Sequence, residues 1–121
     1  MAAAGRERPP IDWDSLTFSF TETDRMFVAN GSWEDGWSEG RMVDFQPLNL
    51  SPAACVLNYG QGLFEGMKAR RTPDGKITLF RPEMNARRAA EGARRLVMPE
   101  VSESMFIKAV KKVAEENKRW V

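Results

Sequence analysis

Apolar and polar positions change their rhythm along this 121-residue chain, and each change marks an element. Met26-Phe27-Val28-Ala29 is a short β-rich run and predicts a strand. Arg41 to Phe45 alternates polar and apolar residues and predicts the returning strand. Between them Asn30 to Gly40 holds three glycines and two tryptophans, Trp33 and Trp37, which predicts a long hairpin loop or arm. Residues 11 to 24 mix Trp13, Phe18 and Phe20 with Ser and Thr and show no period, so an irregular or extended segment is expected. Pro47 and Pro52 bracket a connection.

Met67 to Arg71 and Lys76 to Phe80 flank Thr72-Pro73-Asp74-Gly75, the sharpest local signal in the chain. Proline pre-sets the first central dihedral of a turn, aspartate suits the second, and glycine takes the left-handed position that closes it. Ile77 and Leu79 alternate with Lys76, Thr78 and Phe80, so one face of this hairpin is expected to be buried.

The period then becomes helical. Pro82 belongs in a first turn, where a missing N–H costs nothing. Ala86, Ala89, Ala93 and Leu96 follow at helical spacing and Pro99 ends the run. Ser102 predicts the cap of a second helix, with Glu103 in the first turn. Its apolar stripe is Phe106, Ile107, Val110, Val113 and Ala114, while Lys111, Lys112, Glu115 and Glu116 face water. Strands first and helices after, joined by hairpins, predict an α+β domain.

Composition narrows the chemistry. Eighteen basic against seventeen acidic residues give a net charge of +1, which offers no global attraction for nucleic acid or an anionic membrane. No apolar run approaches the ~20 residues of a membrane span. The chain has no histidine and a single cysteine, Cys55. Histidine-based nucleophile schemes and most zinc sites are thereby excluded, and no metal site is expected. Cys55, beside Val56 and Leu57, reads as a small buried apolar residue. Residues 1–10, MAAAGRERPP, read as a flexible leader without a signal-peptide core, leaving 11–121 as the structured part. Lys118-Arg119-Trp120-Val121 directly follows a helical pattern, so the native sequence is expected to continue.

Two features could carry chemistry. Asn58-Tyr59-Gly60-Gln61-Gly62-Leu63-Phe64-Glu65-Gly66 places three glycines in seven residues, which asks for unusual backbone angles or close approach of something to the backbone. It is either a tight bend feeding a strand or a binding loop presenting Tyr59 and Phe64 to an apolar ligand. The arginines Arg87, Arg88, Arg94 and Arg95 form pairs two helical turns apart. They are either a solvated face or supply one fork for a phosphate or carboxylate. Glu83 and Glu91 interrupt the set and no aromatic stacks within it, which disfavours nucleic acid.

The run Leu57 to Ala69, reading LNYGQGLFEGMKA, followed by LFRPEMNARR from Leu79 to Arg88, resembles the branched-chain amino acid aminotransferases. Thr23-Asp24-Arg25-Met26, Leu50-Ser51-Pro52 and Asn117-Lys118-Arg119-Trp120-Val121 extend the resemblance over nearly everything after Ile11. The resemblance implies the small amino-terminal α+β domain of a fold-type IV enzyme, with pyridoxal 5′-phosphate held between it and a larger domain. It implies that Arg88 binds the cofactor phosphate, that Phe18, Tyr59 and Phe64 wall the substrate side-chain pocket, and that Gly66 lies close to the substrate.

The implied reaction exchanges an amino group between leucine, isoleucine or valine and 2-oxoglutarate, in a homodimeric parent protein. The Schiff-base lysine of the family belongs to the large domain. Lysines 68, 76, 108, 111, 112 and 118 match no such motif, so no catalytic residue is assigned and the chain alone is expected to be inactive. A cytoplasmic setting is expected, or a plastid if the leader is incomplete. The D-amino acid aminotransferases and aminodeoxychorismate lyases share the fold type, but the unbroken FEGMKA and FRPEMN segments favour the branched-chain group. The reading from a different class is a non-catalytic small domain serving as an interaction module.

Overall fold

The computed structural model describes residues 9–121, so all but the last two residues of the expected leader lie outside it. Three separate two-stranded antiparallel ladders and two long helices make an α+β arrangement, as the order of periods predicts. Strand β1, Arg25–Val28, pairs with β4, Arg41–Asp44, in a register that sets Met26 opposite Val43 and Phe27 opposite Met42. The arm between them is more ordered than a loop. Gly31–Ser32 (β2) and Gly36–Trp37 (β3) pair in a two-residue ladder. Trp37 folds back on the domain, its indole N–H donating to the Glu100 carbonyl at 2.9 Å. Trp33 stays exposed.

Cys55–Asn58 form a single helical turn, α1, ahead of the glycine-rich bend. Cys55 is exposed there, which corrects the expectation of a buried thiol. A one-turn helix on the surface has no inner face, and its neighbours Val56 and Leu57 are exposed as well.

The second hairpin forms where expected, with Ala69–Arg71 (β5) pairing with Ile77–Leu79 (β6). Gly75 takes φ of 82° and its N–H donates to the Thr72 carbonyl at 2.8 Å, closing the turn. Ile77 and Leu79 turn inward, while Thr78 and Phe80 face out.

Helix α2, Pro82–Arg95, starts with Pro82 in its first turn, and α3, Glu103–Glu116, is capped by the Ser102 hydroxyl, which accepts from the Met105 N–H at 3.2 Å. Ala86 and Ala93, one α2 stripe, are the buried apolar residues, and α2 packs on α3, which packs on β1. Small side chains let helices approach closely.

The end of α2 is unusual. The Met98 N–H donates to the Ala93 carbonyl at 2.9 Å and the Val97 N–H to Arg94 at 3.2 Å, the paired bonds that close a helix through a left-handed residue. That residue is Val97, at φ of 52°, where a β-branched side chain is strained.

The carboxyl-terminal motif is structural. Asn117 is 5% exposed, and its amide ties β1 to the end of α3. Arg119 grips Asp24 through two hydrogen bonds, at 2.7 and 2.9 Å. Arg71 donates to the carbonyls of Lys118 and Val121, fastening the β5–β6 hairpin to the same corner.

Candidate functional site

The bend after α1 is shaped by Gly60, at φ of 64°, and is fixed to α2 at both ends. Gln61 donates to the Leu96 carbonyl at 2.8 Å, which braces the strained terminus of α2. Leu63 packs against Gly92, where an added Cβ would meet its Cδ2 at 3.4 Å.

At the other end Glu65 meets Arg88. Arg88 Nε donates to Glu65 Oε1 at 2.7 Å and Nη2 to Oε2 at 2.5 Å, a bidentate pair. Asn85, one turn earlier on α2, donates through Nδ2 to Glu65 Oε2 at 2.8 Å and to the Gly66 carbonyl at 3.1 Å. The Glu65 side chain is 10% exposed and that of Arg88 is 66% exposed. The Arg88 guanidinium, helped by Asn85, holds the Glu65 carboxyl below the usual carboxylate range, and Glu65 raises Arg88 in return.

Beside this pair opens a cavity of about 330 Å³. Its walls are the outward face of the β5–β6 hairpin and the preceding bend, with Gly66, Lys68, Arg70, Thr78 and Phe80, and the α2 side chains Asn85 and Arg88. Strand alternation puts Gly66, Lys68 and Arg70 on one face. Among the described residues no carboxylate pairs with Lys68 or Arg70. Nothing among the described residues requires glycine at 66. Its φ is not left-handed, and an added Cβ would meet no atom within 4 Å.

The residues expected to act together divide into two groups. Arg88 and Gly66 share the cavity just described. Tyr59, 86% exposed, lines a second depression of about 420 Å³ with Cys55, Gln61, Arg95, Leu96 and Val97. Phe64 is 93% exposed and Phe18 fully exposed, and neither lines either cavity. Within the described residues Tyr59 and Arg88 therefore line two different cavities. The other arginines of the helix are matched with carboxylates: Arg87 with Glu103, Arg94 with Glu100 and Arg95 with Glu91.

The sequence reading missed Glu65 and Asn85. Their signal was spacing: Asn85 and Arg88 are three apart, on one face of α2, opposite the only carboxylate of the bend.

Antiparallel strand pairs followed by two helices, with a bend presenting apolar side chains beside an arginine-lined cavity, define the class as a small unit of α+β type. No protein-family model matches the chain. It is 48% identical over 111 residues to a methionine aminotransferase of Arabidopsis thaliana, covering 92% of this chain and 31% of that protein. It is 49% identical to a chloroplastic branched-chain amino acid aminotransferase of Humulus lupulus and 45% to a mitochondrial one of Arabidopsis thaliana, over 95% of this chain and 28% and 30% of theirs. Over 92–95% of its own length the chain is thus similar to branched-chain amino acid aminotransferases, as the resemblance implied. It spans about three tenths of the length of these curated relatives.

Proposed function

We propose that this chain supplies the phosphate anchor and part of the substrate wall of a pyridoxal-phosphate-dependent transaminase acting on leucine, isoleucine or valine with 2-oxoglutarate. One observation carries the reading: Arg88 lines a cavity in which Lys68 and Arg70 have no carboxylate among the described residues. A dianion fits that donor set, since a guanidinium offers a planar fork and the two further cations add charge. Gly66 leaves room for a close approach that no internal neighbour uses.

The cofactor, when bound, supplies an electron sink for the amino-group exchange. The chain's own part is to hold the phosphate at Arg88, to pass the substrate backbone beside Gly66, and to offer Phe18, Tyr59 and Phe64 as apolar surface to the aliphatic side chain. These three rings are exposed, which suits residues completed by further protein in a homodimeric parent. Within the chain no lysine takes the catalytic role, so the isolated chain is expected to bind and not to transaminate.

A second reading of the substrate rests on the relative named for methionine, whose side chain matches leucine in length and polarity. For the compartment we propose the cytoplasm. Relatives named chloroplastic or mitochondrial make an organelle the alternative. No helix among the described residues is long and apolar enough to cross a membrane.

Pyridoxine 5′-phosphate tests the anchor, because it lacks the aldehyde that reacts with any lysine. The chain should quench its own tryptophan fluorescence saturably with this compound and not with pyridoxine, and Arg88→Ala should abolish the difference. Equal binding of the two compounds, or no effect of Arg88→Ala, would refute the assignment.

A further inference from the structure

We infer that Glu65 is a positioning residue for the anion held by Arg88, an inference that rests on the phosphate reading above. A guanidinium carries five N–H donors around its plane. Glu65 takes one from Nε and one from Nη2. The two on Nη1 and the second on Nη2 remain, and one from each of these nitrogens forms the end edge of the fork. Arg88 lines the cavity and its side chain is 66% exposed, so donors that Glu65 does not take remain for an anion there.

Charge alone argues against a carboxylate at this place, because a negative group beside an anion site opposes the anion. Its value lies in order. The Arg88 side chain is mostly exposed and would otherwise lose its freedom only when a ligand arrives. Glu65 is itself held, since Asn85 binds both its Oε2 and the Gly66 carbonyl. Helix, carboxylate and bend are thus fastened at one point before any ligand binds. Outer partners that hold metal ligands are worth about tenfold or more in affinity, which sets the scale expected here.

The two effects have opposite signs, which makes the experiment decisive. Inorganic phosphate is titrated calorimetrically into the parent chain, Glu65→Gln, Glu65→Asp and Arg88→Ala near neutral pH, with circular dichroism confirming the fold. Glu65→Gln removes a negative charge yet should weaken phosphate about tenfold. It should also cost the Arg88 Nε–H nuclear magnetic resonance signal its protection from exchange. Should Glu65→Gln not fold, Glu65→Asp keeps the charge with a shorter reach and should show the same weakening. Unchanged or tighter phosphate binding in the Glu65 variants, with Arg88→Ala still impaired, overturns the role of Glu65 and leaves the anchor standing. No saturable binding to the parent chain, or parent-like binding by Arg88→Ala, overturns the anchor and this inference with it.

Discussion

The side-chain amide of Asn117 and the peptide of Arg25 are joined in both directions: the Arg25 N–H donates to Oδ1 at 2.9 Å and Nδ2 donates to the Arg25 carbonyl at 2.9 Å. The same amide accepts from the Asp24 N–H and donates to the Val113 carbonyl, so all its hydrogen-bonding capacity is used. It stands where a neighbouring strand would stand beside β1. Asn117→Ala should therefore destabilise the chain by about 3 kcal/mol, because buried backbone groups lose their partners. Asn117→Asp should also destabilise, since a carboxylate cannot donate to Arg25 and Val113. Thermal unfolding followed by circular dichroism measures both, and a loss within error of zero would show that the amide is not holding β1.

Acid should weaken the Glu65–Arg88 junction. The Glu65 carboxyl lies below its ordinary range in the folded chain, so the folded state binds fewer protons than the unfolded state there. That contribution is fully present above the unfolded value, roughly 4.3, and is lost as pH falls through the lower folded value. The melting temperature of Glu65→Gln should accordingly fall less between neutral and acid pH than that of the parent. Parallel curves for the two proteins would mean that Glu65 gains nothing from its partners.

Val97 sits in a left-handed conformation that costs a branched residue about 1–2 kcal/mol. Val97→Gly should raise stability by about 1 kcal/mol after the extra freedom of glycine in the unfolded chain is subtracted. A lower melting temperature would place the side chain of Val97 in a stabilising contact instead.

Gly40 and Gly36 share a positive φ but not their surroundings. A Cβ at Gly40 would lie 2.3 Å from the Phe27 ring, whereas one at Gly36 meets nothing within 4 Å. Gly36→Ala should cost about 1 kcal/mol from backbone strain alone. Gly40→Ala should cost clearly more, and denaturant unfolding of the two variants side by side gives the comparison.

Local features were legible in the sequence. Pro73, Asp74 and Gly75 set the turn, Pro82 and Ser102 set the helix starts, and each acts within a few residues. The family resemblance directed attention to Arg88. What could not be read was closeness across the chain: Glu65 meets Arg88 across 23 positions and Asn117 meets Arg25 across 92. The two-residue β2–β3 ladder carries too little pattern to be seen. Cys55 was misjudged because its apolar neighbours imply burial only where an element has an inner face, and α1 has none.

The central claim is a location, the cavity between the glycine bend and α2. Amide chemical-shift mapping of the isotope-labelled chain during titration with pyridoxine 5′-phosphate addresses it most directly. Saturable shifts concentrated at Gly66, Lys68, Arg70, Asn85 and Arg88 are predicted. Shifts confined to the lysine face of α3 around Lys108, Lys111 and Lys112, with Gly66 and Arg88 unmoved, would contradict it.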